Sequence, residues 1–123
     1  MTSALLLIAH GSRQADANED LLHVAFAMEQ RGHGVVEAAF LELAEPSIEV
    51  AGARCVERGA ERVVMLPYFL SAGVHVRRDL SAACDRLATR FSRVEFRLAE
   101  PLGRHPLLLD VVEDRVREAL GEH

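Results

Sequence analysis

The chain alternates between short apolar runs and longer amphipathic segments. Apolar runs predict four β-strands, at residues 4–9, 35–41, 62–70 and 93–98. The first run, "ALLLIA", is continuously apolar and is followed closely by glycine, which is typical of a strand buried on both faces. The last, "RVEFRL", alternates polar and apolar residues and therefore predicts an edge strand.

The segments that follow these strands carry apolar residues at helical spacing. They predict helices at residues 15–32, 48–58, 78–91 and 105–120. Ser47 is placed to cap the second helix, and Pro106 lies in the first turn of the fourth. Because strands and helices alternate, we expect right-handed βαβ units. The prediction is a single doubly wound, flavodoxin-like α/β domain over residues 1–123, with a four-stranded parallel sheet in the order 2-1-3-4 and helices on both faces.

Composition and charge narrow the range of functions. Half of the residues are hydrophobic, 27% are charged and the formal net charge is −5. This charge argues against a nucleic-acid or anionic-membrane role. No apolar run approaches the roughly 20 residues of a membrane span, and no basic segment precedes the first run as in a signal peptide. With two cysteines and no CxxC motif, we expect a cytoplasmic chain with reduced thiols.

Three residues with metal-binding side chains follow three consecutive strands. His10 follows the first, Glu42 ends the second, and His75 lies in the predicted loop after the third. Since the carboxyl ends of parallel strands meet at one edge, these side chains could converge. Two imidazoles and a carboxylate suit Co²⁺, Ni²⁺, Fe²⁺ or Zn²⁺ and, unlike a closed structural site, leave positions open for a substrate. A single such residue is commonly a hydrogen-bonded or solvated loop residue, so the metal hypothesis depends on their joint placement.

Arginines gather near the same edge of the predicted sheet. They are Arg13, Arg77, Arg78 and, in a later loop, Arg104. Guanidinium groups pair bidentately with carboxylates, so a polycarboxylate ligand is one explanation. Solvation at a helix start is the other explanation for Arg77 and Arg78, although the helix dipole disfavours cations there.

Other motifs favour neither nucleotide binding nor serine hydrolysis. The loops "HGSR" and "LSAGVH" lack the glycine spacing of phosphate-binding motifs, and Ser12 is not in a GxSxG elbow. We assign no metal role to three other histidines, His23, His33 and His123. His105, beside Pro106, is expected to help start the last helix.

Three segments together resemble the small CbiX-type sirohydrochlorin chelatases of the class II chelatase family. They are "HGSR" after the first strand, "AFLELAEPSI" across the second and "PYFLSAGVHVRRDL" after the third. The resemblance covers about residues 4–80. It implies a lyase-class enzyme that inserts a divalent metal, typically cobalt, into sirohydrochlorin on the way to cobalamin. Close relatives insert nickel or iron into the same macrocycle, the latter for siroheme.

The resemblance also implies roles for individual residues. His10 would be a metal ligand and proton acceptor, His75 the second metal ligand, and Glu42 a carboxylate that helps bind metal or collects pyrrole protons. The tetrapyrrole pocket would be lined by Glu45 and by the loop Leu70, Ser71, Ala72, Gly73, Val74 and His75, with Arg13 facing the substrate carboxylates. The metal is a substrate and no organic cofactor is expected. Family members of this length act as homodimers with the cleft between subunits.

A non-catalytic carrier of metal or tetrapyrrole is the competing hypothesis. A carrier would hold metal tightly without a macrocycle, whereas an open His–Glu–His set predicts weak, exchangeable binding. A flavodoxin-like signalling domain would need an acidic phosphoacceptor where His10 stands. Affinity at nitrogen and oxygen ligands follows the general divalent-metal order, so residue types alone do not select the metal.

Overall fold

Four parallel strands form the centre of the protein in the computed structural model, which describes residues 1–122. The strands are β1 (Ser3–Ala9), β2 (Val35–Phe40), β3 (Arg62–Pro67) and β4 (Glu95–Leu98). The helices are α1 (Ala15–Gln30), α2 (Ile48–Glu57), α3 (Val74–Arg90) and α4 (Leu107–Ala119). All pairings are parallel and the order is β2-β1-β3-β4. The predicted doubly wound sheet and its strand order are confirmed.

Two apolar layers hold the helices against the sheet. On one face α2 and α3 pack on all four strands, with Leu6, Ile8, Val63 and Met65 among the fully buried side chains. On the other face α1 packs through Leu21 on β1 and β2. The two faces are not covered equally at β3. Its residues alternate between buried, on the α2–α3 face, and half-buried, on the α1 face.

The third helix begins earlier than its sequence pattern predicts. The segment Gly73–Val76, interpreted from the sequence as part of a glycine-containing loop, forms the N-cap and the first residues of α3. Gly73 is the N-cap residue in an extended conformation, and its carbonyl accepts the amide of Arg77 at 3.0 Å. The third strand correspondingly ends at Pro67 rather than at residue 70. His75 is therefore a helical residue.

The ends of the other helices follow the predicted capping. Ser47 caps α2 because its Oγ accepts the amide of Val50 at 3.2 Å. His105 starts α4 as expected, since its Nδ1 accepts the amide of Leu107 at 3.2 Å. Both cysteines are free, Cys55 buried and Cys84 half-buried. No helix within residues 1–122 is both long and apolar enough to cross a membrane.

Candidate functional site

His10 and Glu42 are held side by side by an extension of the β1–β2 pairing. The amide of Leu41 donates to the carbonyl of Ala9, and the amide of Glu42 to that of His10, each at 3.0 Å. Gly11 makes this approach possible. It has a φ of +94°, and a Cβ built on it would lie 1.8 Å from the Glu42 carbonyl oxygen. Any other residue at position 11 would push the two segments apart.

The imidazole of His10 packs against the ring of Phe69, in the segment after β3. The ring centroids are 4.5 Å apart and the planes are inclined by 33°. The Tyr68 amide donates to the Ile8 carbonyl at 2.7 Å, which fixes this segment against β1. His10 is exposed, and no hydrogen bond from residues 1–122 engages its ring nitrogens. One face of the ring is thus supported while its nitrogens are free to act.

His10 and Glu42 line a cavity of about 360 Å³ between the sheet edge, α2 and α3. The wall from α3 includes Val76, Asp79, Ala83 and Arg86, which share one face of that helix.

Within the cavity, the Arg86 guanidinium donates a hydrogen bond to the carboxylate of Glu49, so one positive and one negative charge offset each other. Glu42 and Asp79 have no ion pair with any residue of the described chain. The cavity therefore presents two uncompensated carboxylates beside an imidazole, a local negative charge that attracts a divalent cation.

Sequence reasoning missed Asp79 and Glu49 as cavity residues. The signal for Asp79 was its spacing from Val76, Ala83 and Arg86 along one helical face. That spacing is informative only once α3 is known to begin at Val74.

A second cavity, of about 530 Å³, lies on the other side of Glu42. Its walls include Glu45, Pro46 and Val50, and it shares Glu42 and Ser47 with the first cavity. Glu45, a predicted substrate-binding residue, is thus placed next to Glu42 but not in the cavity that contains His10.

His75 does not join His10 and Glu42 in this conformation. It is exposed in the first turn of α3 and lines none of the cavities described here. Within residues 1–122, no three His, Cys, Asp or Glu side chains are close enough to hold a metal ion. The predicted three-residue convergence is therefore absent. Position 75 lies in a helix, and the next residue of that helix, Val76, lines the cavity in place of His75.

The predicted substrate loop, Leu70 to His75, is a surface segment whose last two residues form the start of α3. Leu70 and Val74 are 65% and 63% exposed, and Leu43, in the loop after β2, is 53% exposed. The loop lies directly against Gly103, because a Cβ at position 103 would be 1.6 Å from the Leu70 carbonyl oxygen. The loops after β2 and β3 therefore expose apolar side chains at the carboxyl edge of the sheet, a surface suited to one face of a flat ligand.

The arginines differ in their surroundings. Arg77 donates to the Ala72 carbonyl and to Glu100, each at 3.2 Å, so it links the predicted substrate loop to the segment after β4. Arg13, Arg78 and Arg104 are exposed and form no ion pair with the described residues. Of the four arginines predicted near this edge, these three are therefore available to an acidic ligand.

The loop between β1 and α1 is held by a residue that sequence reasoning missed. The Asn18 side chain accepts the Ser12 amide at 2.9 Å and donates to the Ser12 carbonyl at 2.8 Å. This pair of bonds fixes the loop that carries His10 and Arg13. His23 and His33 lie on the exposed side of α1 and in the turn after it, away from this edge, and His123 lies outside the described residues.

Comparison with known proteins decides the family. The family model of CbiX matches residues 4–119, nearly the whole chain. The chain belongs to the CbiX family. It is 42% identical over 118 residues to the chloroplastic sirohydrochlorin ferrochelatase of Arabidopsis thaliana, covering 95% of this chain and 52% of that protein. It is 32% identical over 117 residues to the sirohydrochlorin cobaltochelatase of Sulfolobus acidocaldarius, covering 95% of this chain and 92% of that protein.

Solved structures show the same fold. The sirohydrochlorin chelatase SirB from Bacillus subtilis subspecies spizizenii, in complex with cobalt, superposes with a TM-score of 0.86 at 28% identity. The alignment covers 96% of this chain and 51% of SirB. This CbiX-family chain therefore spans about half the length of SirB and of the Arabidopsis relative.

Proposed function

We propose that this CbiX-family protein is a sirohydrochlorin chelatase that inserts a divalent metal ion into the macrocycle. The observation that carries the proposal is the shared cavity of His10 and Glu42 at the carboxyl edge of the sheet, bordered by exposed apolar loops. The names of the relatives supply the substrate, because cobalto- and ferrochelatases both act on sirohydrochlorin.

The edge of the sheet has the features that a flat, acidic macrocycle requires. Leu43, Leu70 and Val74 offer apolar contact to its face. Arg13 and Arg78 offer guanidinium groups to its carboxylates, which is how an acidic ligand would bind to a chain with a net charge of −5. The approach of the ring towards His10 would then exclude water from the reacting centre.

The reaction exchanges two pyrrole protons for a metal ion. As metal–nitrogen bonds form, two N–H bonds of the macrocycle break, and the metal sheds its water ligands. We assign one imidazole ligand to His10 and the second to His75, whose exposed position in the first turn of α3 leaves its side chain free to reorient. Glu42, beside His10, is the proposed proton acceptor, because a histidine cannot take a proton on a nitrogen that already binds metal. Glu42 is exposed, so it takes the first pyrrole proton, passes it to bulk water and then accepts the second.

Asp79 adds to this assignment through its charge. It lines the same cavity as His10 and Glu42 without a compensating ion pair among the described residues. A carboxylate in that position lowers the electrostatic energy of an incoming divalent cation. We propose that the metal approaches His10 through this cavity.

Co²⁺ is the metal that we propose. The cobaltochelatase of Sulfolobus acidocaldarius aligns with this chain over nearly its own full length. The 42% identity to the Arabidopsis ferrochelatase favours Fe²⁺ as the alternative.

We also propose that two copies of the chain form a homodimer around the macrocycle, in a cytoplasmic setting. About half of SirB and about half of the Arabidopsis relative remain outside the alignment, which is room for a second unit of this size. The two unpaired cysteines suit a reducing compartment.

The test is anaerobic absorbance of sirohydrochlorin mixed with the protein and Co²⁺, Fe²⁺ or Ni²⁺. We expect acceleration over the protein-free rate, lost by at least about 100-fold in His10→Ala and Glu42→Gln, as expected when an acid–base or ligand group is removed. His23→Ala is the matched control, since it removes an exposed imidazole from α1 and should leave the rate unchanged. No acceleration with any of the three metals would refute the chelatase.

Equilibrium dialysis with Co²⁺ alone separates the chelatase from a carrier. An enzyme that releases its metal to a substrate should bind Co²⁺ weakly and reversibly without the macrocycle. Tight stoichiometric binding together with no insertion would replace the chelatase with a metal carrier.

A further inference from the structure

Helix α4 carries an apolar stripe that the rest of residues 1–122 leaves exposed. Leu109, Val112, Val116 and Leu120 follow one another at spacings of three and four residues, so they share one face. Their exposures are 67%, 60%, 52% and 68%. No residue of α4 is buried, and α4 has no extensive packing against any strand or helix of residues 1–122. A four-residue apolar stripe on an unpacked helix is the mark of a surface that is covered by another element.

The same chain leaves part of one sheet face uncovered. On the α1 face, α1 reaches β1 and β2, while Val64 of β3 belongs to neither apolar layer and is half-buried. Val64 pairs in register with Arg97 of β4, and Arg62 with Glu95, so these four side chains lie on this face. In a doubly wound fold a helix after β4 would cover this position. Here α4 does not.

We infer that two copies of the chain exchange their α4 helices, each α4 stripe covering the β3–β4 face of the other copy. This inference rests on the homodimer proposed above and identifies its contact surface. In a dimer with a two-fold axis, the α4 stripe of each copy would lie on the β3–β4 face of the other. Both exposed surfaces would then be covered in both copies, because a two-fold interface repeats every contact. The longer relatives support a second copy as the occupant, since this chain aligns with only 52% of the Arabidopsis protein and 51% of SirB.

The charges of the two surfaces are complementary. Between Leu107 and Ala119, α4 carries four carboxylates, Asp110, Glu113, Asp114 and Glu118, and two guanidiniums, Arg115 and Arg117. The β3–β4 face carries two guanidiniums, Arg62 and Arg97, and one carboxylate, Glu95. An acidic helix on a mildly basic face is favourable, whereas two α4 helices packed on each other would bring like charges together.

A smaller exposed apolar pair on α1 provides a matched control. Leu22 and Phe26 are one helical turn apart and are 52% and 61% exposed. The experiment compares Val116→Glu on α4 with Leu22→Glu on α1, both exposed apolar positions on helices, by light scattering after size exclusion and by circular dichroism for folding. We expect a dimer for the unchanged chain and for Leu22→Glu, and a folded monomer for Val116→Glu, with the dimer Kd raised by about 30-fold or more. A dimer that survives Val116→Glu, or a monomeric unchanged chain, would overturn the inference.

Disulfide trapping tests the exchange itself. Two variants, Val64→Cys and Val112→Cys, are prepared in a Cys84→Ala background, so that the introduced cysteine is accompanied only by the buried Cys55. Helix exchange predicts a crosslinked dimer when the two chains are mixed and none from either chain alone. Crosslinking of Val112→Cys with itself would show α4 packed on α4 and would overturn the exchange.

These readouts use neither metal nor macrocycle. A chain that inserts metal as a monomer would refute this inference and leave the chelatase standing. A chain that dimerises through α4 but does not insert metal would refute the chelatase and leave this inference standing.

Discussion

Replacing Gly11 with alanine tests how the site is held together. The Cβ that this substitution adds would lie 1.8 Å from the Glu42 carbonyl oxygen and 3.2 Å from the Phe40 Cβ. Contacts under 3.0 Å essentially never occur for a Cβ, so the oxygen must retreat by more than an ångström. This movement separates the segment that carries Glu42 from the segment that carries His10.

The cost can be worked from the contacts that break. A φ of +94° costs a residue with a Cβ about 1–2 kcal/mol. The two amide-to-carbonyl bonds that join Leu41 to Ala9 and Glu42 to His10 contribute about 0.5–1.5 kcal/mol each. We therefore expect the free energy of unfolding to fall by about 2–5 kcal/mol. A displacement of about 1 Å between reacting groups lowers the rate by about 100-fold, so metal insertion should fall more than stability alone explains.

Gly59→Ala is the control for backbone strain. Gly59 has a φ of +95°, almost the same as Gly11, but no atom lies within 4 Å of the Cβ that alanine would add. It should lose only about 1–2 kcal/mol and keep its insertion rate. Urea unfolding and the anaerobic insertion assay measure both quantities. If Gly11→Ala matched Gly59→Ala in stability and in rate, the close contact between position 11 and Glu42 would be refuted.

Three further predictions concern residues around the site and in the core. Asn18→Ala removes both side-chain bonds to Ser12; unfolding should cost about 1–3 kcal/mol less and insertion should slow, and an unchanged rate would show that the loop does not need this anchor. Asp79→Asn should slow insertion about tenfold at low metal concentration, as expected for the loss of one cavity charge, whereas Asp85→Asn on exposed α3 surface should not; equal rates would remove Asp79 from the cation path. Burial raises the pKa of the Cys55 thiol from 9.0 to about 12, so this thiol should resist alkylation at pH 8 until the chain unfolds. Because the unfolded chain loses this proton first, the free energy of unfolding should fall as the pH rises from about 9 towards 12, by roughly 1.4 kcal/mol per pH unit once the unfolded thiol is ionised; rapid native-state alkylation would contradict the burial.

Most of the fold was predictable because it depends on local periodicity. Continuous apolar runs such as residues 4–9 form buried strands whatever surrounds them, and their alternation with helices leaves few parallel topologies. Ser47 and His105 were identified as helix-starting residues for the same reason, since capping involves neighbours within three residues. The placement of His10 and Glu42 at one edge followed from strand order, which the alternation itself implied.

The sequence-based predictions were wrong where the conformation of a segment depends on its packing against residues far away in the sequence. Gly73 favours a loop locally, yet α3 begins at Val74 and packs on the sheet through Val76 and Ala83, and His75 is exposed and does not line the cavity.

The sequence by itself determined the strands, the helices and the edge at which the chemistry is placed, because these depend on periodicity and neighbouring residues. Only the tertiary structure decided that Asp79 shares the cavity with His10 and that Gly11 and Gly103 lie against carbonyl oxygens of other loops. It also decided that α4 has no extensive packing within residues 1–122. Each of these depends on the distance between segments far apart in sequence, which no local pattern records.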